Sequence, residues 1–205
     1  MTLSVRTLTA TELLSVITDL ARLRIQVFRE YPYLYDGDLS YEERYLASYA
    51  SSPGAAVIVV SDDDRPLQRR LIGAATCVPL VDEPATIRQP VADAGINISR
   101  VCYFGESVLD PAYRGRGIGH TFFDGREAHA RALGLPITMF CAVVRPQDHA
   151  LRPADYRPLD PFWHKRGYAP VPGLFASLSW KDLGEPGETT KQLQFWKRET
   201  LVASG

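Results

Sequence analysis

The amino-acid sequence predicts an α/β (α+β) fold in one domain: a central mixed, mostly antiparallel sheet of six to seven strands with helices on both faces. Short apolar runs of strand length alternate with longer stretches whose apolar residues recur at helical spacing. No internal repeat and no segment of linker composition divides the chain. At 205 residues it is long enough to bury one substantial core. Residues 1–205 therefore read as a single domain.

Leu3 to Leu8 alternates as a short strand should, and Thr9-x-x-Glu12 is a capping box before the apolar series Leu13, Val16 or Ile17, Leu20, Leu23 or Arg24, Val27 or Phe28. That series predicts an amphipathic helix ending near Glu30. A second box, Ser40-x-x-Glu43, opens a shorter helix to about Ala50. Ala55 to Ser61 and Leu71 to Val78 are apolar runs separated by turn residues, a hairpin at the middle of the sheet. Residues 79–100 carry Pro84, Pro90 and Gly95 and read as an insertion with two helix-compatible pieces, Ala85 to Arg88 and Val91 to Ala94. Val101 to Leu109 is a strand. Gly117 to Leu133 is a helix with the stripe Ile118, Phe122, Gly125, His129 and Ala132, terminated by Gly134 and Pro136. Ile137 to Val144 is a further buried strand, succeeded by the proline-rich loop Arg145 to Leu159. Asp160 caps a short helix with Pro161 at its first position and Gly167 past its end. Ala176 to Trp180 and Gln192 to Lys197 complete the sheet.

Composition excludes several classes. A net charge of -1 lacks the basic surplus that displaces counterions from nucleic acid, so no nucleic-acid partner is expected. No apolar stretch approaches the ~20 residues of a membrane helix, and Met1 to Thr11 shows no secretory leader. A cytoplasmic protein without a membrane partner is the expectation. Cys77, Cys102 and Cys141 lie far apart in apolar surroundings, with no C-x-x-C and no histidine pair at ligand spacing, so neither a disulfide nor a metal site is expected.

The most informative stretch runs from Tyr103 through Arg114-Gly115-Arg116-Gly117-Ile118-Gly119 into the helix. A strand leading through a glycine turn into a helix N-terminus offers unpaired N–H groups and the positive end of the helix dipole to an anion. Glycines at 115, 117 and 119 let the backbone curl around a phosphate without a Cβ in the way, and Arg114 and Arg116 add charge. Arg126 falls close by in sequence. The spacing is neither the dinucleotide fingerprint G-x-G-x-x-G nor a P-loop, since no Gly-Lys pair occurs anywhere.

This segment resembles the acetyl-CoA motif Q/R-x-x-G-x-G/A of the GNAT superfamily of N-acetyltransferases, which Arg114 to Gly119 matches at every specified position. Phe162-Trp163-His164-Lys165-Arg166-Gly167-Tyr168 is similar to the family's second element, an aromatic helix ending in glycine plus aromatic. The resemblance covers about residues 3 to 198. It implies a sheet splayed between its fourth and fifth strands, here Val101 to Leu109 and Ile137 to Val144. Acetyl-CoA is the implied co-substrate, its pyrophosphate on residues 114–119, its pantetheine arm along backbone groups near Ser107 to Leu109, Val108 and Leu109 foremost, with Phe162 also counted among the cofactor contacts.

The implied reaction is direct transfer of the acetyl group to a primary amine of a small molecule or peptide, in a sequential mechanism with a general base. Glu106, on the strand at the splay, is the candidate base, with pairing to an arginine as the competing reading. The family's usual acid is a tyrosine at the position of Trp163, so that role passes to a substitute such as Tyr168, with Tyr156 and His164 as others. Tyr31, Tyr33 and Tyr35, interleaved with Glu30, Asp36 and Asp38, suit an apolar or aromatic cation, whereas Arg145, Arg152 and Arg157 suit negative charge. Transfer of a longer acyl group and a non-catalytic acetyl-CoA sensor remain open alternatives. Family members often pair through sheet edges, so a homodimer is compatible with the resemblance.

Overall fold

A computed structural model describes residues 2–199. Its sheet begins with three antiparallel strands, β1 (Leu3–Thr9), β2 (Ala56–Asp62) and β3 (Leu71–Pro79). β2 and β3 are covered by helices on both faces and buried along almost their whole length, which is why they read as continuous apolar runs. The fourth strand expected from the sequence is broken in two. β4 (Val101–Tyr103) pairs with the end of β3 at Val78 and Pro79, while β5 (Ser107–Leu109) pairs with Gly73, Ala74 and Ala75.

β4 continues the sheet by pairing in parallel with β6 (Ile137–Val143) through Ile137, Thr138 and Met139. β5 is off that path, so the second half of β6 diverges from it and a wedge opens between them. That wedge is the expected splay. β7 (Ala169–Lys181) and β8 (Glu188–Glu199) complete eight strands in the order β1-β2-β3-β4-β6-β8-β7, with β5 on β3. The break in the fourth strand accounts for the strand beyond the expected seven.

α1 (Ile17–Phe28), α2 (Leu39–Tyr49) and α3 (Ala85–Asp93) cover one face, where Leu20, Leu46, Ile87 and Val91 join Val57, Val59 and Met139 in the core. α4 (Ile118–Ala132) and α5 (Asp160–Lys165) cover the other, packing Ile118, Phe122 and Phe123 with Ile58, Phe104, Tyr168 and Trp196. Both capping boxes act differently from expectation. Glu12 accepts from the Thr9 N–H at 3.1 Å, but the box opens a 3-10 segment, Ala10–Ser15, ahead of α1. Asp38 rather than Ser40 caps α2, accepting from the Tyr41 N–H at 2.9 Å. Within 79–100, α3 runs through Pro90 as one helix, because Ile87 and Val91 flank the proline on the same buried side and anchor both halves.

A buried charge cluster ties the late strands to the loop after α1. Asp182 takes a bidentate contact from Arg145, at 2.7 and 3.0 Å, and lies 3.0 Å from Lys191. Arg145 also donates to the carbonyls of Pro32 and Tyr33, both at 2.8 Å. Arg145 is thus a strut, not the free cation of an acceptor loop. Removing the carboxylate strands two buried cations, so Asp182→Ala is expected to cost about 3–5 kcal/mol in denaturant unfolding. A loss below about 1 kcal/mol would show that the cluster does not hold the loop.

Candidate active site

Thr76 on β3 makes the break in the neighbouring strand. Its N–H donates to the Glu106 carbonyl at 3.0 Å, its carbonyl accepts from the Gly105 N–H at 3.2 Å, and its hydroxyl accepts from the Glu106 N–H at 3.1 Å. Two residues thus oppose one, a β-bulge. Gly105 is required there: a Cβ would stand 2.5 Å from the Tyr49 hydroxyl and 2.6 Å from Thr76 Oγ1. Before the bulge, the Phe104 N–H still donates to Met139 on β6 at 2.7 Å.

Beyond the bulge, the Asp110 N–H donates to Ile72 at 2.8 Å. Backbone direction alternates along a strand, so Val108, like Glu106 and Asp110, turns its N–H and C=O toward β3. Those of Ser107 and Leu109 turn toward the wedge. Val108, expected as a backbone contact for a ligand arm, is instead paired with Ala74. Ser107, the first residue of the stretch 107–109 expected to hold the arm, shares that direction with Leu109.

The wedge is part of one cleft of about 1200 Å³, lined by Ser107 and Leu109 on one wall and Phe140 to Val143 on the other. One end reaches Arg114 and Gly119 at the start of α4. Gly115 and Gly117 adopt φ of 76° and 82°, and nothing lies within 4 Å of where their Cβ atoms would be. Gly117 is the N-cap of this 15-residue helix, so the N–H groups of Ile118 and Gly119 lack a carbonyl one turn earlier within the helix, while that of His120 donates to the Gly117 carbonyl at 2.9 Å. Ile118 buries its side chain, and Phe162 packs its ring against Gly119 and 5.4 Å from Phe123. Arg114 pairs with Glu30 at 2.7 Å, and Arg116 donates to the Ala112 carbonyl at 3.1 Å. Arg126 does not join them: it is 2 % exposed on the inner side of α4.

Glu106 projects to the opposite face of the sheet. Its Oε1 lies 2.5 Å from a terminal nitrogen of Arg24, outside hydrogen-bond angles, and Arg24 Nε donates to Glu42 at 2.5 Å. Burial works against the charge of Arg24, but Glu106, Tyr45 and Glu42 outweigh it and hold the guanidinium well above the ordinary arginine value. The apolar setting suggested by the strand is therefore not what this carboxylate meets. Both readings of Glu106 are geometrically present, since it is ion-paired and also lines the cleft.

Tyr168, the expected acid, lies in the core and not on the cleft wall. It is 1 % exposed, shares a hydrogen bond with the Thr138 hydroxyl at 2.9 Å and donates to Glu127 at 3.3 Å, away from the cleft lining. Burial raises its hydroxyl well above the ordinary tyrosine value. Trp163 lines the cleft and packs on Phe140 and Trp196, each at 5.0 Å. Cys141 also lines it, where burial pushes its thiol up to about 12, the value of a packing residue rather than a nucleophile.

At the far end, Tyr31, Tyr33, Tyr156 and Arg157 line the mouth, with the Tyr31 ring 4.7 Å from Tyr156 and 5.7 Å from His149. Tyr35 lies outside the lining, Asp36 pairs with Lys181 at 2.9 Å, and Asp38 is occupied as the α2 cap. Arg152 sits over the Tyr156 ring at 5.1 Å. Among the described residues no cluster of three or more His, Cys, Asp or Glu side chains suits a metal ion, and no helix is long and apolar enough to cross a membrane.

The split sheet opens a wedge that leads from a glycine-capped helix to an enclosed carboxylate. The chain matches the model of the Acetyltransferase (GNAT) family over residues 19–154 and belongs to that family. The structure is similar to yncA from Salmonella typhimurium, solved with its cofactor acetyl-CoA, at TM-score 0.61 and 11% identity over 100% of this chain and 98% of that one. It is also similar to the ribosomal-protein-alanine N-acetyltransferase from Brucella melitensis, at 0.56 and 13% over 96% and 99% of the two chains. A GCN5-related N-acetyltransferase from Kribbella flavida matches at 0.55 and 17% over 96% and 97%. No curated protein matches the chain.

The charge pattern around Glu106 extends to a second carboxyl, Glu83, which no sequence motif marks out. Glu83 accepts from the Tyr49 hydroxyl at 3.2 Å, and Tyr49 shares a hydrogen bond with Tyr45 at 3.0 Å. Burial, reinforced by Glu106 and opposed by the Tyr49 hydrogen bond, pushes Glu83 up to about 7. A raised carboxyl favours folding fully below its unfolded value, and that contribution disappears as pH rises through about 7. Glu83→Gln is permanently neutral, so its stability relative to wild type is expected to improve by about 2 kcal/mol between roughly pH 5 and pH 8. A difference that stays flat in urea unfolding across that range would show that Glu83 does not titrate there.

Proposed function

We propose that this chain transfers the acetyl group of acetyl-CoA directly to a primary amine of a small molecule or peptide. The observation that carries the reading is the continuity of the cleft, from the α4 glycine turn, past the unpaired edge of β5, to an aromatic mouth. The residues fit the co-substrate. The first-turn N–H groups of α4, with Gly115 and Gly117 leaving open space, suit a pyrophosphate, and Arg114 is within the same lining. The outward N–H and C=O of Ser107 and Leu109 suit the amide groups of a pantetheine arm. Acetyl-CoA supplies an activated acyl carbon on a thiol leaving group.

Glu106 receives the proton of the attacking amine, directly or through water, while Arg24 holds the carboxylate in place. Neighbouring aromatic walls, Phe104, Phe123 and Phe140, exclude water from the reacting end. Four exposed apolar side chains, Val144, Leu151, Leu159 and Phe175, surround the mouth. They favour an amine carried on an apolar or aromatic body over an acidic one.

Thermal unfolding with CoA, acetyl-CoA and NAD tests the co-substrate. At 100 times its dissociation constant a specific ligand adds about 2.7 kcal/mol, which should appear as a rise of several degrees for both CoA forms and none for NAD. No rise with either CoA form at millimolar concentration would remove the reading. For the base, Glu106→Gln is expected to lower kcat by about 10²- to 10⁴-fold while the CoA-induced rise in Tm persists. An unchanged rate would reduce Glu106 to a counter-ion of Arg24.

A further inference from the structure

Arg126 is a buried guanidinium without a carboxylate. The other interior arginines are matched: Arg24 by Glu42 and Glu106, Arg145 by Asp182, Arg166 by Asp124 and Glu127. Arg126, by contrast, has no acidic oxygen within 4 Å among the described residues. Its Nε donates to the carbonyl of Phe122 at 3.3 Å, one turn earlier in its own helix, and its Nη1 donates to the Glu106 carbonyl at 3.4 Å. The rings of Phe104 and Phe123 lie 4.4 and 4.7 Å from its guanidinium carbon. Carbonyls and ring faces solvate a cation only in part, and a buried charge lacking a counter-charge is costly. Its position compounds the anomaly. Residues 118, 122, 126 and 130 form the inward stripe of α4, and the other three are Ile, Phe and Ala.

Although only 2 % exposed, Arg126 belongs to the wall of the cleft. It lies beside Phe104, Phe123 and the bulge, on the wall opposite Phe140. Ser107, Leu109 and Glu106 line the same cleft, and Arg126 touches the Glu106 carbonyl. Burial draws Arg126 below the ordinary arginine value, against the opposing influence of Cys77, Tyr168, Cys102 and Glu106. That is the direction for a cation short of negative charge.

We propose that Arg126 is the cation that stabilises the departing thiolate in the transfer reaction, in place of an acid that would protonate it. This inference rests on the acetyl-CoA reading above. As the amine nitrogen bonds to the acyl carbon, the carbon–sulfur bond breaks and its electron pair stays on sulfur. The proton released by the amine leaves on the Glu106 side. The sulfur remains an anion paired with Arg126 until it takes a proton from water on product release. The candidate acids are otherwise engaged: Trp163 has no transferable acid proton in this range, Tyr168 is enclosed elsewhere, Tyr156 packs on Tyr31 at the mouth, and His164 packs on Trp196. A fixed charge in a water-poor cleft stabilises such an anion without reorganising during the reaction.

The test needs no acceptor. The thiol of CoA bound to the full-length protein is titrated by thiolate ultraviolet absorbance, as a difference against bound desulfo-CoA, in wild type, Arg126→Met and Arg126→Lys. Wild type is expected to bind CoA with its thiol pKa at least one unit below that of free CoA, giving about tenfold more thiolate at a given pH. Arg126→Met should remove that shift while desulfo-CoA affinity changes less than about twofold, and Arg126→Lys should retain part of it. A wild-type thiol that titrates like free CoA overturns the proposal, even if neither variant folds. So does a shift that survives in Arg126→Met. Failure of wild type to bind CoA at all is a different result, because it removes the acetyl-CoA reading itself.

Discussion

Thr76 places all three of its hydrogen-bonding groups on two consecutive residues of the neighbouring strand, and the architecture of the cleft derives from that clasp. With Gly105 and Glu106 both set against one residue, the strand leaves β6 after Tyr103 but stays on β3. A wedge between two strands is normally unstable, since it exposes rows of unpaired backbone groups. Here the aromatic side chains of α4 and α5 close one side of it, and residues 31–33 with the 151–159 loop close the mouth. The unpaired backbone of Ser107 and Leu109 thereby faces the cleft and not the open surface. The same bulge carries Glu106 into the groove at the point where the wedge begins.

The charged interior is distributed around this groove rather than scattered. Arg24 joins α1 to α2 through Glu42 and to the bulge through Glu106, so the two helices and the split strand share one ion-paired node. Asp182 with Arg145 and Lys191 does the equivalent at the mouth, fastening Pro32 and Tyr33 to β7 and β8. Such buried pairs add little net stability over apolar packing, but breaking one partner is severe. Their effect is to fix geometry: the loop bearing Tyr31 is positioned by the late strands, far away in sequence.

Local signals in the sequence are legible where the physics is local. The glycine turn and its helix can be read because positive φ and an open helix N-terminus need particular residues at particular spacings. The hairpin of β2 and β3 can be read from its apolar runs. Features created by partners distant in the chain escape such a reading. The break within Val101 to Leu109 depends on Thr76, 30 residues before Glu106, and the stretch itself reads as one strand. Glu106 looks like a carboxylate in an apolar setting because Arg24 lies on a different element. Arg24 does stand in the apolar series of the first helix, and an arginine on a packing stripe is the available clue. Arg126 gives the same clue, four residues after Phe122, but proximity in sequence groups it with Arg114 and Arg116. Tyr168 shows the reverse case, an expectation attached to an aromatic helix beyond whose end the tyrosine folds back into the core.

The bulge also separates charge across the sheet. Because side chains and backbone groups leave a strand in different directions, Glu106 presents its carboxylate to Arg24, while its carbonyl, turned toward β3, accepts from Thr76 and also from Arg126 of α4. One residue therefore stands between two guanidiniums, with one of them neutralised and the other not. An acyl transfer needs that asymmetry: the attacking nitrogen loses a proton, and the leaving sulfur gains electron density. A site with balanced charges on both sides would stabilise the ground state as well as the rearranged one, and only the difference between them accelerates a reaction. The uncompensated charge of Arg126, costly to the fold by itself, becomes favourable only when an anion develops beside it. That is the pattern expected of a residue retained for a reaction step and not for folding.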